Sequence, residues 1–538
     1  MKRILTILIL FAFPYLSHAQ TFSWATPFSF DDYNIGNSIK VDGAGNSYVC
    51  GNYYNTGGAG PQTGTSGAFI AKFNTSGTLV WSDTVKNSDA GGCRLDVDGS
   101  GNVYFATYVT GSHMVGGTTV TSAGLKDIVI AKYNSTGVLQ WVKSEGGTDN
   151  DAAQGIVVDG TGNVYVAGYF GDMAIFSGAM EMPVGYSDIF IAKYSSAGTL
   201  AWVQVASGDG DTTSGVGHDQ AMDLSLDNTG NLVLAGYFTG EVVFGTTTLT
   251  STGVGAGFIA KADPQGNWVW AKNTGTAPTG IDMDSNGNGY ISGGFANAVT
   301  IGATTLTSAG DIDIYLAKFN SAGDIAWVKQ AGGADEDRGY DVAVDNLGNP
   351  HLTGAFMGDI SIGDTNLIVA GEENSFIAKY DASGNFVWAK QVTANTGAWE
   401  FVNAHAIDMD AAGDAYITGS FFAAAMFDSF SFTSGNPADA FVAKLSTAVT
   451  TTVEEDTLLN NFSVYHKGNN VINLLYETIT DLSVQVMSVT GQCIYSENNI
   501  NLRGKGSKNI QLPATAKGIY FVNIVSGTTH KAAKILVN

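Results

Sequence analysis

The stretch GNVYVAGYF, residues Gly162–Phe170, is an apolar run opened by a Gly-Asn turn, and the chain writes it repeatedly. Gly101–Tyr108 reads GNVYFATY, Gly230–Phe238 reads GNLVLAGYF, and Gly45–Tyr53 reads GNSYVCGNY. Self-similarity at a fixed spacing marks a repeat architecture, in which each unit covers the apolar face of its neighbour. Three landmarks recur in fixed order. One is a Trp ending a short strand, at Trp24, Trp81, Trp141, Trp202, Trp270, Trp327 and Trp388. Another is an Asp-x-x-Gly-Asn turn led by Asp42, Asp98, Asp159, Asp227, Asp284, Asp345 and Asp410, the last of these ending in Gly413-Asp414. The third is an FIAK-like strand ending at Lys72, Lys132, Lys193, Lys261, Lys318, Lys379 and Lys444, at steps of 60, 61, 68, 57, 61 and 65 residues.

Within a unit, GIVVD alternates and stops at a polar Gly turn, and GNVYVAGYF returns from it as a hairpin. A loop such as GEVVFGTTTLTSTG follows, then DIFIAKY, a tight turn and TLAWVQ as a second hairpin. No helical periodicity interrupts the pattern, and β-branched and aromatic residues fill the strands. The expectation is an all-β fold, a seven-bladed β-propeller of four-stranded blades over residues 20–446. The phase of the repeat matters. The first Trp strand precedes the first full unit, and no Trp strand follows Lys444. Residues 22–27 are therefore expected to supply the outer strand of the seventh blade and close the ring. The pattern resembles the SBBP (seven-bladed beta-propeller) repeat family, consensus W…GG…D.A.GI.VD..GN.YV.G.F…D.FIAKY, over roughly residues 22–446. That resemblance implies the fold and says little about activity.

The N-terminus, MKRILTILILFAFPYLSHAQ, has a basic start at Lys2 and Arg3, an apolar run over Ile4–Tyr15 and a small-x-small site at Ser17-His18-Ala19. Residues 1–19 read as a secretory signal peptide. No other segment reaches the 18 or so consecutive apolar residues that a membrane span needs. After residue 446 the landmarks stop. Residues 447–460 are a Thr- and acid-rich linker, and residues 461–538 alternate like short strands split by Gly turns, a small Ig-like β-sandwich. This segment resembles the type A C-terminal sorting domain of the type IX secretion system at Val489-Thr490-Gly491-Gln492, Gly518-Ile519-Tyr520-Phe521-Val522 and the basic tail Lys531–Val537. Where that family usually has Pro-Asn-Pro, this chain has His466-Lys467-Gly468. The resemblance implies passage through the periplasm, engagement of the type IX machinery by residues 461–538, and release or attachment at the outer surface.

The formal net charge is −24, and becomes −24 − 2 = −26 once Lys2 and Arg3 are removed. That sign excludes the basic footprint of a nucleic-acid binder and disfavours an anionic membrane surface. The cysteines are Cys50, Cys93 and Cys493. Cys50 and Cys93 either pair in the oxidising compartment or stay as buried thiols.

Candidate chemistry is sparse. The chain has no HExxH, GxSxG, Walker or CxxC motif, and His113, His218, His351, His405, His466 and His530 are scattered. Trp268 and Trp399 lie outside the repeating Trp position, where core or rim packing is expected ahead of stacking on a sugar. The Asp-x-x-Gly-Asn segments read as hairpin turns, in which Asp bonds its own backbone. Each FIAK lysine is expected to meet the turn Asp of its own blade. The loops entering the inner strands carry Asp32, Asp149 and Asp335 ten residues before the turn Asp, and Asp151, Asp219 and Asp337 eight before it. These six are the candidate metal ligands, an oxygen set suited to Ca²⁺ if the loops converge on the channel; the competing reading is a solvated acidic rim. The functional expectation is an exported, non-enzymatic scaffold that binds glycan, matrix or surface protein. One alternative is a polysaccharide lyase or hydrolase using Asp149, Asp151, Asp335 and Asp337. Another is a structural surface-layer component.

Overall fold

The computed structural model describes residues 20–446 apart from 55–65, 87–91, 209–217, 252–254, 396, 398 and 436, together with the strands between 462 and 537. The leader (1–19), the linker (447–460) and Val489–Gln492 lie outside the described residues. Residues 20–447 and the C-terminal segment from 448 form separate compact units.

The first unit is a ring of seven antiparallel blades, as the repeat predicts. The third blade is representative, running outward through Asp151–Val158, Val164–Phe170, Asp188–Tyr194 and Leu200–Gly208. The GNVYVAGYF strand is the second of these. Packed between two neighbouring blades, it is buried on both faces, which explains an apolar run in place of simple alternation. The outer strand is mostly half-buried, because its outer side meets solvent. The seventh blade takes its outer strand from the N-terminus: Thr21–Phe28 pairs antiparallel with Asp439–Ser446, with Trp24 opposite Lys444. The ring is thus closed by its two ends, as expected from the phase of the repeat.

The segment between second and third strands, read above as a loop, is a further hairpin in several blades. In the third blade it is Ala174–Phe176 with Ala179–Glu181, and in the fourth Glu241–Phe244 with Thr247–Thr250. It pairs backward onto the end of the preceding blade's outer strand, Ala174 opposite Gly147 and Val242 opposite Gly208. Its apolar alternate residues, such as Phe176 and Phe244, are buried beneath the strands of their own blade. Short alternation around a Gly turn is hairpin chemistry, and polar Thr on the outer face disguised it.

The C-terminal unit has two sheets. Phe462–Gly468, Val471–Tyr476 and Gly506–Gln511 form one; Cys493–Asn501, Asp481–Ser488, Gly518–Ser526 and Thr529–Val537 form the other. Ile472, Leu474 and Ile510 from one sheet share a core with Val484, Val486, Val522 and Ile524 from the other, a small β-sandwich.

Candidate functional site

A propeller has two rims. On one stand the Asp-x-x-Gly-Asn turns and the turns between third and fourth strands. On the other stand the entry loops of the inner strands and the additional hairpins.

The turn rim is structural throughout. Asp159 is typical: its carboxylate accepts the backbone N–H groups of Thr161 and Asn163, both at 2.9 Å, and the Asn163 side-chain amide at 2.8 Å. Burial opposes ionisation there, but these donors outweigh it and hold Asp159 below the usual carboxylate range. The repeating tryptophans join the blades. Trp24, Trp81, Trp141, Trp202, Trp270 and Trp327 each donate the indole N–H to a carbonyl in the next blade's outer turn, at 3.0 to 3.4 Å. That turn ends in a Gly under the ring. Gly137 has φ of 81°, and a Cβ on it would meet Trp81 Cδ2 at 2.7 Å, so both backbone and space demand glycine. The FIAK lysines divide. Lys261, Lys318, Lys379 and Lys444 meet the turn Asp of their own blade at 2.6 to 3.9 Å, Lys318 also donating to Ala382 O of the next blade at 3.0 Å. Lys72, Lys132 and Lys193 instead reach the next blade's turn carbonyls at Ser135, Ser196 and Pro264.

The channel holds a second carboxylate set, unread in the sequence. Asp96, Asp223, Asp282, Asp341 and Asp408 lie on inner strands, two or four residues before their turn Asp. Each accepts a backbone N–H of the next blade's inner strand: Val158 at 2.7 Å, Ile281 at 2.9 Å, Val344 at 2.8 Å, Ile407 at 3.0 Å and Val41 at 2.7 Å. They staple blade to blade. Burial raises all five, Asp341 to about 7 and Asp408 to about 6. Burial alone would lower Lys40, but Asp408, 3.8 Å away, and its fellow carboxylates hold it up. The channel cavity at this level is about 90 Å³. Ligand pockets run to roughly 300–1,000 Å³, so it has room for a few waters and none for a sugar chain.

The entry-loop acids do not gather. Among the described residues no group of three or more His, Cys, Asp or Glu side chains is placed to hold a metal ion. Asp32 sits at the first blade's entry, where its carbonyl accepts the Ala438 N–H. Asp149 caps its own loop at Asn150 N, 2.8 Å away, and Asp335 packs against Gly358. Asp151, Asp219 and Asp337 are fully buried between blades. Each has a second Asp beside it, the residue that opens the preceding blade's third strand. Asp127 and Asp151 both crowd Gly146, Asp188 and Asp219 both meet Gly208, and Asp313 lies against Gly332 beside Asp337. The loop backbone serves these carboxylates: Gly147 N–H reaches Asp151 and Gly333 N–H reaches Asp337, both at 2.7 Å. The Gly-Gly of the repeat is therefore room for two carboxyl groups. Burial, then the neighbouring Asp127 and Asp149, lifts Asp151 to about 8; burial, then Asp313 and Asp335, lifts Asp337 to about 7. The missed members, Asp127, Asp188 and Asp313, had a signal in the sequence: the D of D-x-FIAK recurs five residues before the lysine.

His351 and His113 are structural. His351 is buried where other blades have Tyr, packs on Trp388 and is held neutral, its pKa lowered by burial to about 3. His113 bonds the carbonyls of Lys86 and Thr110. The two extra tryptophans part company. Trp268 packs edge-on to Phe244 and donates to Val205 O, as expected of a packed residue. Trp399, on the entry loop of the seventh blade, is 74% exposed with φ of 72°. On the same rim, Tyr186 stacks on His218 at 4.9 Å, and Met180 and Met182 stand exposed beside it.

Residues 468–538 match the secretion system C-terminal sorting domain. The chain is therefore marked for export by the type IX system to the cell surface or extracellular space, and that tail engages the secretion machinery. An uncharacterized WD repeat-containing protein of Acanthamoeba polyphaga mimivirus is 22% identical over 503 residues, covering 74% of this chain and 36% of its own length. Among solved structures, PorZ, a surface component of the type IX secretion system of Porphyromonas gingivalis, is 11% identical with a TM-score of 0.37, over 95% of this chain and 61% of its own. The polysaccharide lyase Uly1 is 9% identical with a TM-score of 0.38, over 77% of this chain and 90% of its own. Likenesses this weak carry neither protein's activity to this chain. What the domain and the fold establish is an exported seven-bladed propeller delivered by its C-terminal sorting domain.

Proposed function

We propose that the propeller is a non-enzymatic binding scaffold at the cell surface, and that its ligand, a glycan or a surface or matrix protein, docks on the loop rim. The observation that carries this reading is Trp399. A bulky side chain at positive φ is an uncommon arrangement that the surroundings must enforce. Here it holds an indole in solvent. A flat aromatic face is a stacking surface for a sugar ring or an apolar side chain. Against an enzymatic role stands the full burial of Asp151 and Asp337, each held by a backbone N–H of its own loop and closed to substrate.

The test is the full exported chain on arrays of glycans and matrix proteins, with and without calcium, each bound spot then assayed for degradation. Binding that Trp399→Ala reduces at least tenfold, without degradation, is the expected result. Degradation abolished by Asp149→Asn or Asp335→Asn would install the enzyme instead. A calcium requirement would bring Asp32, Asp149, Asp151, Asp219, Asp335 and Asp337 back as ligands. A blank array would leave a structural surface component.

A further inference from the structure

Among the described residues, every blade junction but one has a channel staple or a buried rim pair of carboxylates; at the exception Asp83 of the first blade accepts only the Tyr133 hydroxyl of the second, at 2.9 Å. Asp96 and the Asp127–Asp151 pair join the second blade to the third, and Asp188–Asp219 joins third to fourth. Asp223, Asp282, Asp341 and Asp408 serve the remaining four. Between the first and second blades, the described residues supply neither. The staple positions hold Lys40 and Ser38, and the third strand has Gly67 where four other blades have Asp127, Asp188, Asp313 and Asp439.

The two buried cysteines of the propeller meet at that junction. Cys50 lies on the second strand of the first blade, paired with Ser38 and Ile70. Cys93 leads into the inner strand of the second blade. Both are free thiols, fully buried side by side in one apolar cluster. The Asn37 amide approaches Cys93 Sγ at 3.9 Å. At the next two junctions the matching second-strand positions are Ala106 and Ala167, within clusters that include Ala153 and Ala221. Small apolar residues suffice where carboxylates already join the blades.

We propose that Cys50 and Cys93 form a disulfide during export, a covalent stitch between the first and second blades where the channel staple and the rim pair are absent. The chemistry is exchange with a disulfide-bonded donor of the periplasm. One thiolate attacks the donor's S–S bond, giving a mixed disulfide, and the second thiolate displaces the donor from it. The S–S bond between Cys50 and Cys93 forms as the donor's breaks. Two electrons pass to the donor, which departs as a dithiol carrying the two protons. Burial, then the adjoining Cys93 thiol, pushes the Cys50 thiol up, so exchange takes place before the two blades close over it.

The test is peptide mapping. The full chain is isolated from an exporting host without reductant, denatured in an alkylating reagent and digested for mass spectrometry. A cross-linked pair of peptides carrying Cys50 and Cys93, both unalkylated in nearly every chain, is the expected result. Recovery of both as alkylated thiols overturns the proposal. Melting gives a second readout. Reductant should lower the melting temperature of the wild type to that of a Cys50→Ala/Cys93→Ala double variant and leave the variant unmoved. A wild type indifferent to reductant overturns the stitch.

Discussion

The two rims of the propeller come from the same seven repeats and are used in opposite ways. On the turn rim, the repeated residues either brace their own turn, as Asp159 does, or hook the next blade, as the tryptophans do. Trp, Gly, Asp and Lys there are spent on architecture, and one blade's turn reads much like the next. On the loop rim, the repeated Asp151, Asp219 and Asp337 sink between blades as carboxyl pairs, while the unrepeated Trp399 and the Tyr186–His218 stack reach solvent. Repetition therefore marks architecture in this chain, and departure from repetition marks the surface open to a partner.

The largest expected effect tests the closure on which both rims depend. Deleting residues 20–30 removes the strand opposite Asp439–Ser446 and the Trp24 bond to Thr75. Cooperative thermal unfolding should be lost; an unchanged melt would mean the ring closes otherwise. Next comes a single hook on the turn rim. Trp141→Ala removes a half-buried indole and its bond to Ser196 O, and should cost about 2–3 kcal/mol in denaturant unfolding. Trp141→Phe keeps most of the packing and should cost about 1 kcal/mol, the bond alone.

The rim pairs give a smaller, pH-dependent effect. Asp151 and Asp337 keep their protons up to about pH 8 and about pH 7, whereas the unfolded chain releases them near about pH 4. Between those limits the folded chain binds the more protons, so stability is greatest at the acid end and falls as pH rises through 7 to 8. Asp127 Oδ1 accepts no hydrogen bond. In Asp127→Asn an amide at that position could donate to Asp151, which should flatten the fall and add on the order of 1–2 kcal/mol at pH 8. Equal pH profiles for variant and wild type would break the pairing. The smallest effect belongs to the exposed residue: Trp399→Ala should leave stability within about 0.5 kcal/mol. A larger loss would move Trp399 from the docking surface into the architecture.

Much of this was legible from residues alone, and the limits are physical. The blade count, the four-stranded unit and the closure by residues 22–27 follow from the order of Trp, Asp and Lys, because each is tied to a neighbour at a fixed offset. The turns were legible too, since Asp159 bonds residues two and four away. The fate of Asp151 was not. Its partner Asp127 lies on another blade, and whether a rim side chain points to the axis or sinks between blades depends on a Gly-Gly loop that makes room for it. The lysine–aspartate pairing expected in every blade holds for Lys261, Lys318, Lys379 and Lys444; for Lys72, Lys132 and Lys193 the next blade's turn carbonyl is the competing acceptor. Trp399 stood out as unrepeated, but its exposure is a property of backbone conformation that no spacing reveals.

The strand Thr21–Phe28 has one more consequence, in time rather than in space. It is the first stretch of the propeller to be made, and its partner Asp439–Ser446 is the last strand of the propeller. The circle therefore stays open until more than four hundred residues have emerged. Until then the strand Thr21–Phe28 has no edge to pair with. The sorting domain begins only after that partner strand, so by the time the export signal exists, everything needed to shut the ring is already present. The order of the sequence thus schedules closure ahead of dispatch.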